Sequence, residues 1–230
     1  MRFIGAPRQP EIDQYTIKFL IGFIALALPI VERVLTALSG DSITSISASF
    51  WASGLWPRDI LVGSLFAVAS FLLAYNGLSE TEMWLAKVAS VCALGIAMFP
   101  CGCEPVGKEI VPGVHLASAA ILFVVLGWFC VIFMRRARAK GHREARWRAA
   151  IYVLSTAGFA SAILLFLARL VTKQEVFVLY GETAGLVSFG VSWLTASRVL
   201  PGITRPQERH HLVVATSRQA TPAATASAAS

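Results

Sequence analysis

Several ionisable side chains lie within or at the edges of long apolar runs, and six of them fall near the predicted outer side of the membrane. A charge at the centre of a bilayer costs about 2.5–3.5 kcal/mol on insertion scales, so such residues usually face the interior of a helix bundle and pair. These six are the candidate ligand-binding residues: Glu32, Arg58, Asp59, His115, Arg169 and Glu182. Together they predict a polar pocket for a lipid headgroup or small solute. The alternative is a set of interfacial charges that reach water, with one or two structural ion pairs.

His115 is the candidate proton-transfer residue, because the ordinary pKa of imidazole is about 6.5. A general acid/base role requires a carboxylate, Asp59 or Glu182, within about 3 Å, directly or through one water. The alternative role for His115 is a hydrogen-bonded residue at a helix start. A catalytic zinc needs about three protein ligands, and the other histidines of the chain fall on the opposite side of the membrane. No metal or other cofactor is therefore predicted.

The four cysteines do not form the pattern of a disulfide framework. Cys92 and Cys130 lie inside apolar runs and are interpreted as buried small side chains. Cys101 and Cys103 end the third run, where an oxidising compartment would allow a bridge, a redox pair or a soft-metal site. Two ordinary loop cysteines are the alternative interpretation.

Long apolar runs must position these residues. Hydrophobic residues make up 56% of the chain and charged residues 14%, against roughly 25% charged in a soluble domain. A helix needs about 20 residues to cross the hydrocarbon, and helices satisfy their own backbone groups there. The sequence predicts an all-α bundle of six transmembrane helices, at about 17–38, 59–76, 83–100, 114–134, 149–171 and 176–199.

The connections differ in character. Residues 43–56 are apolar enough for a short interfacial helix above the pocket, and an irregular loop is the alternative. Residues 135–148 form a loop with seven basic residues. The domain prediction is a transmembrane domain at 1–200 and a disordered cytoplasmic tail at 201–230, because the Ala, Thr and Ser composition of its end cannot build a core.

The distribution of Lys and Arg predicts that both termini are cytoplasmic. With the N-terminus inside, fifteen of the 20 basic residues fall on the inner side, as the positive-inside rule requires. The net charge of +7 is therefore a topology signal, and nucleic acid is not an expected partner. The expected location is the bacterial inner membrane. Membrane lipids are the expected partners, since the basic loop could also attract anionic headgroups at about 1 kcal/mol per residue.

Small residues recur at helix-packing spacing. Gly181 and Gly185 lie four apart in the sixth span, as do Gly158 and Ala162 in the fifth. Close backbone approach is how helices gain packing energy in lipid. Packing within the chain is the favoured interpretation, and a homo-oligomer through these faces is the alternative.

Several short strings resemble a loosely defined group of bacterial six-helix membrane proteins of the domain-of-unknown-function type. They are SISASFW at 45–51, RDILVG at 58–63, YNG at 75–77, AMFP at 97–100 and His115. The resemblance spans roughly residues 15–200 and implies six helices without an established activity.

A remoter resemblance is to membrane hydrolases that include alkaline ceramidases, which combine Ser, Asp and three His around zinc. Ser47, Asp59 and His115 match part of that set, but Glu182 stands where paired histidines would be.

Three functions follow from these patterns. The leading hypothesis is a non-enzymatic membrane protein that binds a lipid or small amphiphile in an outer-leaflet pocket. The second is a membrane-embedded lipid-modifying enzyme that uses His115 with Asp59 or Glu182. The third is a proton- or ion-coupled carrier, which would need ionisable groups in the inner half of the spans, where the sequence shows almost none.

Overall fold

The structure, a computed structural model, describes residues 13–103 and 109–210. Six α-helices in this part of the chain are long and apolar enough to cross a membrane, which confirms the predicted architecture. They are α1 (Gln14–Leu38), α2 (Leu55–Ala74), α3 (Glu80–Met98), α4 (Val114–Arg138), α5 (Arg143–Thr172) and α6 (Val176–Ala196). Two short 3-10 helices, Ser47–Trp51 and Pro206–Glu208, lie outside the bundle helices.

The helices alternate in direction and close into a ring. Each packs on its neighbours in sequence, and α6 returns to pack on α1. One end of the bundle, the terminal face, holds the start of α1 and the end of α6. The other end, the opposite face, holds the 43–51 segment. The distribution of basic residues predicts that the terminal face is the cytoplasmic one.

Several helices run further at the terminal face than the hydropathy predicts, and α2 also begins earlier than predicted, at Leu55 on the opposite face. α3 begins at Glu80, where the Ser79 hydroxyl accepts a hydrogen bond from the Glu82 amide at 3.3 Å. α4 continues to Arg138 and α5 already begins at Arg143, so the predicted basic loop 135–148 is mostly helical. Arginine is a good helix former, and basic side chains at the end of α4 suit the negative end of its dipole.

A cluster of aromatic rings fills the terminal half of the bundle. The fully buried Trp193 of α6 contacts the rings of Tyr75, Phe129, Phe133 and Phe189, with centroids 5.2–5.8 Å apart. Edge-on contacts of this kind add to the free energy of burial. The cluster holds α2, α4 and α6 together beneath the terminal face.

The small-residue faces are covered within the chain. A Cβ atom at Gly158 would meet Ser188, and one at Gly181 or Gly185 would meet a phenylalanine ring. These contacts agree with the prediction of packing within the chain. Among the described glycines, Gly22 of α1 and Gly190 of α6 face each other's backbone most closely, and no small-residue repeat in the sequence reveals this contact.

The first part of the predicted tail contacts the bundle. Residues 201–210 include the second 3-10 helix, and Thr204 is buried. The remainder of the tail, 211–230, lies outside the described residues.

Candidate functional site

Four of the six predicted pocket residues have local partners. Arg169 pairs with Glu175 at 2.8 Å. Arg58 pairs with its neighbour Asp59 at 3.5 Å, and both side chains are about half exposed. Nδ1 of His115 lies 2.8 Å from the carbonyl oxygen of Phe99. Apart from Arg58–Asp59, no described hydrogen bond or ion pair joins two of the six residues.

Glu182 anchors the segment that covers the opposite face. Its carboxylate accepts hydrogen bonds from the amides of Ile46 and Ser47 and from the Ser47 hydroxyl, the last at 2.6 Å. These amides belong to the start of the 3-10 helix Ser47–Trp51, where backbone donors lack partners. Glu182 therefore acts as a helix cap supplied by α6, and both of its oxygens are occupied.

Ile46 seats the same segment in an apolar cluster with Leu28, Leu61 and Leu179. The short helix considered for residues 43–56 is present within that range as Ser47–Trp51. The segment thus closes the opposite end of the ring, over the region in which the predicted pocket was expected.

Glu32 is the most buried of the predicted residues, with 0% exposure. Neither carboxylate oxygen has a hydrogen-bond partner among the described residues. Burying a carboxyl group without a partner costs free energy. The Ser49 side chain lies beside this carboxyl group, and the Ser49 hydroxyl donates to the carbonyl oxygen of Ile46 at 2.7 Å.

An open groove runs beside Arg58 and Asp59 on the opposite-face side. Its volume is about 470 Å³, and its lining consists of Phe50, Arg58, Asp59, Val62, Gly63, Ala97 and Met98. The groove contains two of the six predicted residues, Arg58 and Asp59, and these two form an ion pair with each other.

His115 has no direct contact with a carboxylate among the described residues. No carboxylate oxygen in the described chain lies within 4 Å of the His115 ring nitrogens. Asp59 pairs with Arg58, and Glu182 caps the 3-10 helix. Ser47, Asp59 and His115 therefore have separate partners, and nowhere in residues 13–103 and 109–210 do three His, Cys, Asp or Glu side chains form a metal-binding group. The residues do not fit the zinc centre that the remoter resemblance implies.

Cys101 and Cys103 form a disulfide. The Cys101 carbonyl accepts a hydrogen bond from the Trp51 indole at 2.9 Å, and Cys103 Sγ lies 3.7 Å from the Ser45 hydroxyl. Cys92 and Cys130 are free and buried, as their positions predict.

The densest group of buried charges lies at the terminal face. A cavity of about 40 Å³ opens there among α1, α4, α5 and α6, with room for about three water molecules. Five basic side chains line it: Lys18, Arg136, Lys140, Arg148 and Arg198. Tyr15, Phe133 and Tyr152 supply aromatic walls.

Lys18 and Arg198 are the two of these cations that no described carboxylate contacts, and Lys18 is the more deeply buried of the two. Lys18 is 4% exposed, and no described carboxylate oxygen lies within 4 Å of its ammonium nitrogen. The nitrogen lies 5.2–5.4 Å from the ring centres of Tyr15, Tyr75 and Phe133. Aromatic faces attract a cation by up to about 2 kcal/mol when it is desolvated, which falls short of a full counter-charge.

Glu82 compensates one neighbouring cation. It is fully buried and forms an ion pair with Arg136. The Tyr75 hydroxyl donates to the same carboxylate at 2.9 Å, and the Leu78 amide donates at 3.3 Å. The carboxylate is therefore fully engaged beside the cavity.

Glu208 compensates two more cations from the C-terminal side. Its carboxylate lies 2.5 Å from Lys140 Nζ and 3.1 Å from an Arg148 nitrogen. Partial burial alone would raise the pKa of Glu208, but the hydrogen bond and charge of Lys140, together with Arg148, lower it to about 2. The carboxylate is thus fully charged at neutral pH.

Two properties of the sequence conceal this site. The basic residues of the predicted inner side are used to predict the topology, and their number does not say which residues they contact. Glu82 falls between the second and third predicted spans, although α3 includes it. In the terminal half, which the charge bias predicts to be the inner half, Lys18, Glu82 and Arg136 are buried or partly buried, whereas almost no ionisable groups were expected there.

Comparison of the chain with protein-family models, with curated proteins and with solved structures finds no match.

Proposed function

We propose that this integral membrane protein binds a phosphate-bearing anion in the terminal-face cavity. The observation that carries the proposal is Lys18, a buried cation without a carboxylate partner in the described chain. Five basic side chains surround the cavity, and two carboxylates, Glu82 and Glu208, contact them. An anion would supply the charge that the protein leaves out.

Electrostatics favours such a ligand. An unpaired buried charge is costly, and pairing offsets that cost when hydrogen bonds complete the geometry. Arginine presents paired N–H donors that match phosphate oxygens, and lysine adds a point charge. Arg136, Arg148 and Arg198 lie around Lys18 in the cavity lining, so a phosphate group would find both kinds of donor.

The depth of the cavity suits a lipid headgroup or a soluble phosphate. The lining comes from the ends of membrane-spanning helices. Basic pockets between helices on the cytoplasmic side are a known way to bind anionic headgroups. We propose that the terminal face is cytoplasmic, in a bacterial inner membrane. A reporter fused after Ser230 and found outside the cell would contradict this orientation.

The opposite-face pocket receives less support. Glu182 and Arg169 have protein partners. The charged residues that line the groove, Arg58 and Asp59, form an ion pair with each other. The resemblance to bacterial six-helix membrane proteins stays a prediction, as does a homo-oligomer.

Lys18→Met tests the proposal, because it removes the charge and keeps an apolar chain of similar length. We expect binding of inorganic pyrophosphate by the detergent-solubilised protein, or of phosphatidic acid in nanodiscs, to fall about ten- to hundredfold. The matched control is Arg146→Met, which removes an exposed charge from the same face and lies outside the cavity lining. We expect a change below about threefold for the control.

The two probes distinguish the source of the ligand. Binding of pyrophosphate indicates a soluble phosphate, whereas binding of phosphatidic acid alone indicates a lipid. Absence of both from the wild-type protein, or equal losses in the two variants, would overturn the proposal.

A further inference from the structure

We propose that the terminal-face cavity selects phosphomonoesters over phosphodiesters, because Glu208 already occupies two of its cations. This inference rests on the proposed function and names its ligand class. A phosphomonoester carries about −1.5 to −2 charge at pH 7, whereas a phosphodiester carries a single charge, as the Glu208 carboxylate does.

Glu208 takes the position of an anionic ligand. One of its oxygens contacts Lys140 and the other contacts Arg148, and both cations belong to the cavity lining. Arg148 also donates to the carbonyl oxygen of Ile203 at 2.9 Å. A phosphate group that uses these two cations must therefore displace Glu208.

The segment that carries Glu208 is held at several points. His210 Nε2 lies 3.0 Å from a carboxylate oxygen of Asp13. The backbone amide of His210 donates to the carbonyl oxygen of Arg198 at 3.1 Å. Arg205 pairs with Glu144 at 3.1 Å. A tethered carboxylate has a high effective concentration at its site. A ligand that only replaces the single charge of Glu208 therefore competes poorly with it.

A monoanion gains little from that exchange. It would replace one negative charge beside Lys140 and Arg148 with another, and it would also have to release the tether. A dianion keeps a second charge for Lys18, which no described carboxylate contacts. Hydrogen bonds to charged groups change affinity by about ten- to hundredfold, and we expect selectivity of that order.

The test compares two lipids with identical acyl chains, phosphatidic acid and phosphatidylglycerol, on the full chain in nanodiscs. We expect the wild-type protein to bind phosphatidic acid at least about tenfold more tightly. Glu208→Gln should raise the affinity for phosphatidylglycerol about tenfold and reduce the selectivity. The matched control is Glu80→Gln, an exposed carboxylate at the start of α3 that lies outside the cavity lining, and it should leave the ratio unchanged.

A second measurement follows the tether directly. An environment-sensitive dye on Gln207→Cys, an exposed position beside Glu208, should respond to phosphatidic acid and much less to phosphatidylglycerol. Equal wild-type affinities for both lipids, or a ratio that Glu208→Gln and Glu80→Gln change alike, would overturn the selectivity. The proposed function would survive that result as long as Lys18→Met still weakens binding.

Discussion

Arg136 of α4 forms an ion pair with Glu82 of α3, across 54 residues of sequence and inside the terminal half of the bundle. Glu82 has no exposed surface, whereas the Arg136 side chain is 30% exposed. The pair joins two neighbouring helices and forms one side of the charged cavity. Its members depend on each other, because a buried charge without a partner is strongly unfavourable.

Glu82→Gln should therefore destabilise the protein by about 2–4 kcal/mol, near the lower range for breaking a buried pair because Arg136 reaches solvent. Thermal unfolding in detergent measures the effect. The double variant Glu82→Leu with Arg136→Leu should recover much of the loss, since apolar residues of similar size can replace a buried pair. A double variant whose loss of unfolding free energy equals the sum of the losses in the two single variants would contradict this account.

The ion pairs of Glu208 with Lys140 and Arg148 should be lost at acid pH. The pKa of Glu208 is about 2 in the folded protein, against an ordinary value of 4.5. A lowered carboxyl pKa stabilises the docked segment fully above pH about 4.5, and this contribution is lost as the pH falls through about 2. The dye on Gln207→Cys should report release in this window. Arg148→Gln should move the release to higher pH, and an unchanged midpoint would speak against the ion pair.

Glu182 should control access beneath the 3-10 helix of the opposite face. Its removal leaves two backbone amides and the Ser47 hydroxyl without their acceptor, and hydrogen bonds to a charged group are worth about 1.5–3 kcal/mol. Ser49 is fully buried in this segment. A cysteine placed at Ser49 should react with an impermeant maleimide about ten- to hundredfold faster when Glu182→Ala is added.

The matched control for this labelling experiment is Asp59→Ala. Asp59 contacts only its neighbour Arg58 among its described ion pairs, so its loss should leave the labelling rate of the Ser49→Cys protein unchanged. An equal increase in the labelling rate with both substitutions would show that the hydrogen bonds of Glu182 do not keep the 3-10 helix Ser47–Trp51 in place.

The approach of α1 to α6 should not tolerate a side chain at Gly22. A Cβ atom there would lie 2.7 Å from the Leu194 backbone nitrogen and 2.9 Å from the Gly190 carbonyl oxygen. Gly22→Ala should cost about 1–3 kcal/mol, because backbone atoms cannot move aside as a flexible side chain can. Gly63→Ala on α2 meets nothing within 4 Å, and its unfolding temperature should stay the same or rise slightly.

The partners of Lys18 show where sequence reasoning stops. The sequence places Lys18 near the start of α1, and its charge contributes to the predicted orientation of the bundle. Its burial depends on rings from α2 and α4, and the cavity beside it depends on Arg148 of α5 and Arg198 beyond α6. The rotation of each helix and the order of helices around the ring determine these contacts, and the hydropathy of the sequence predicts neither.

The sequence by itself determined the six spans and the packing role of the small residues, because both depend on local properties: apolar length against bilayer thickness, and the size of a side chain on a helix face. The tertiary structure alone decided that Glu182 caps a segment 136 residues earlier in the chain and that the buried charge collects at the terminal face. Charges attract through space over a few ångströms, so their partners are decided only when the ring of helices has closed.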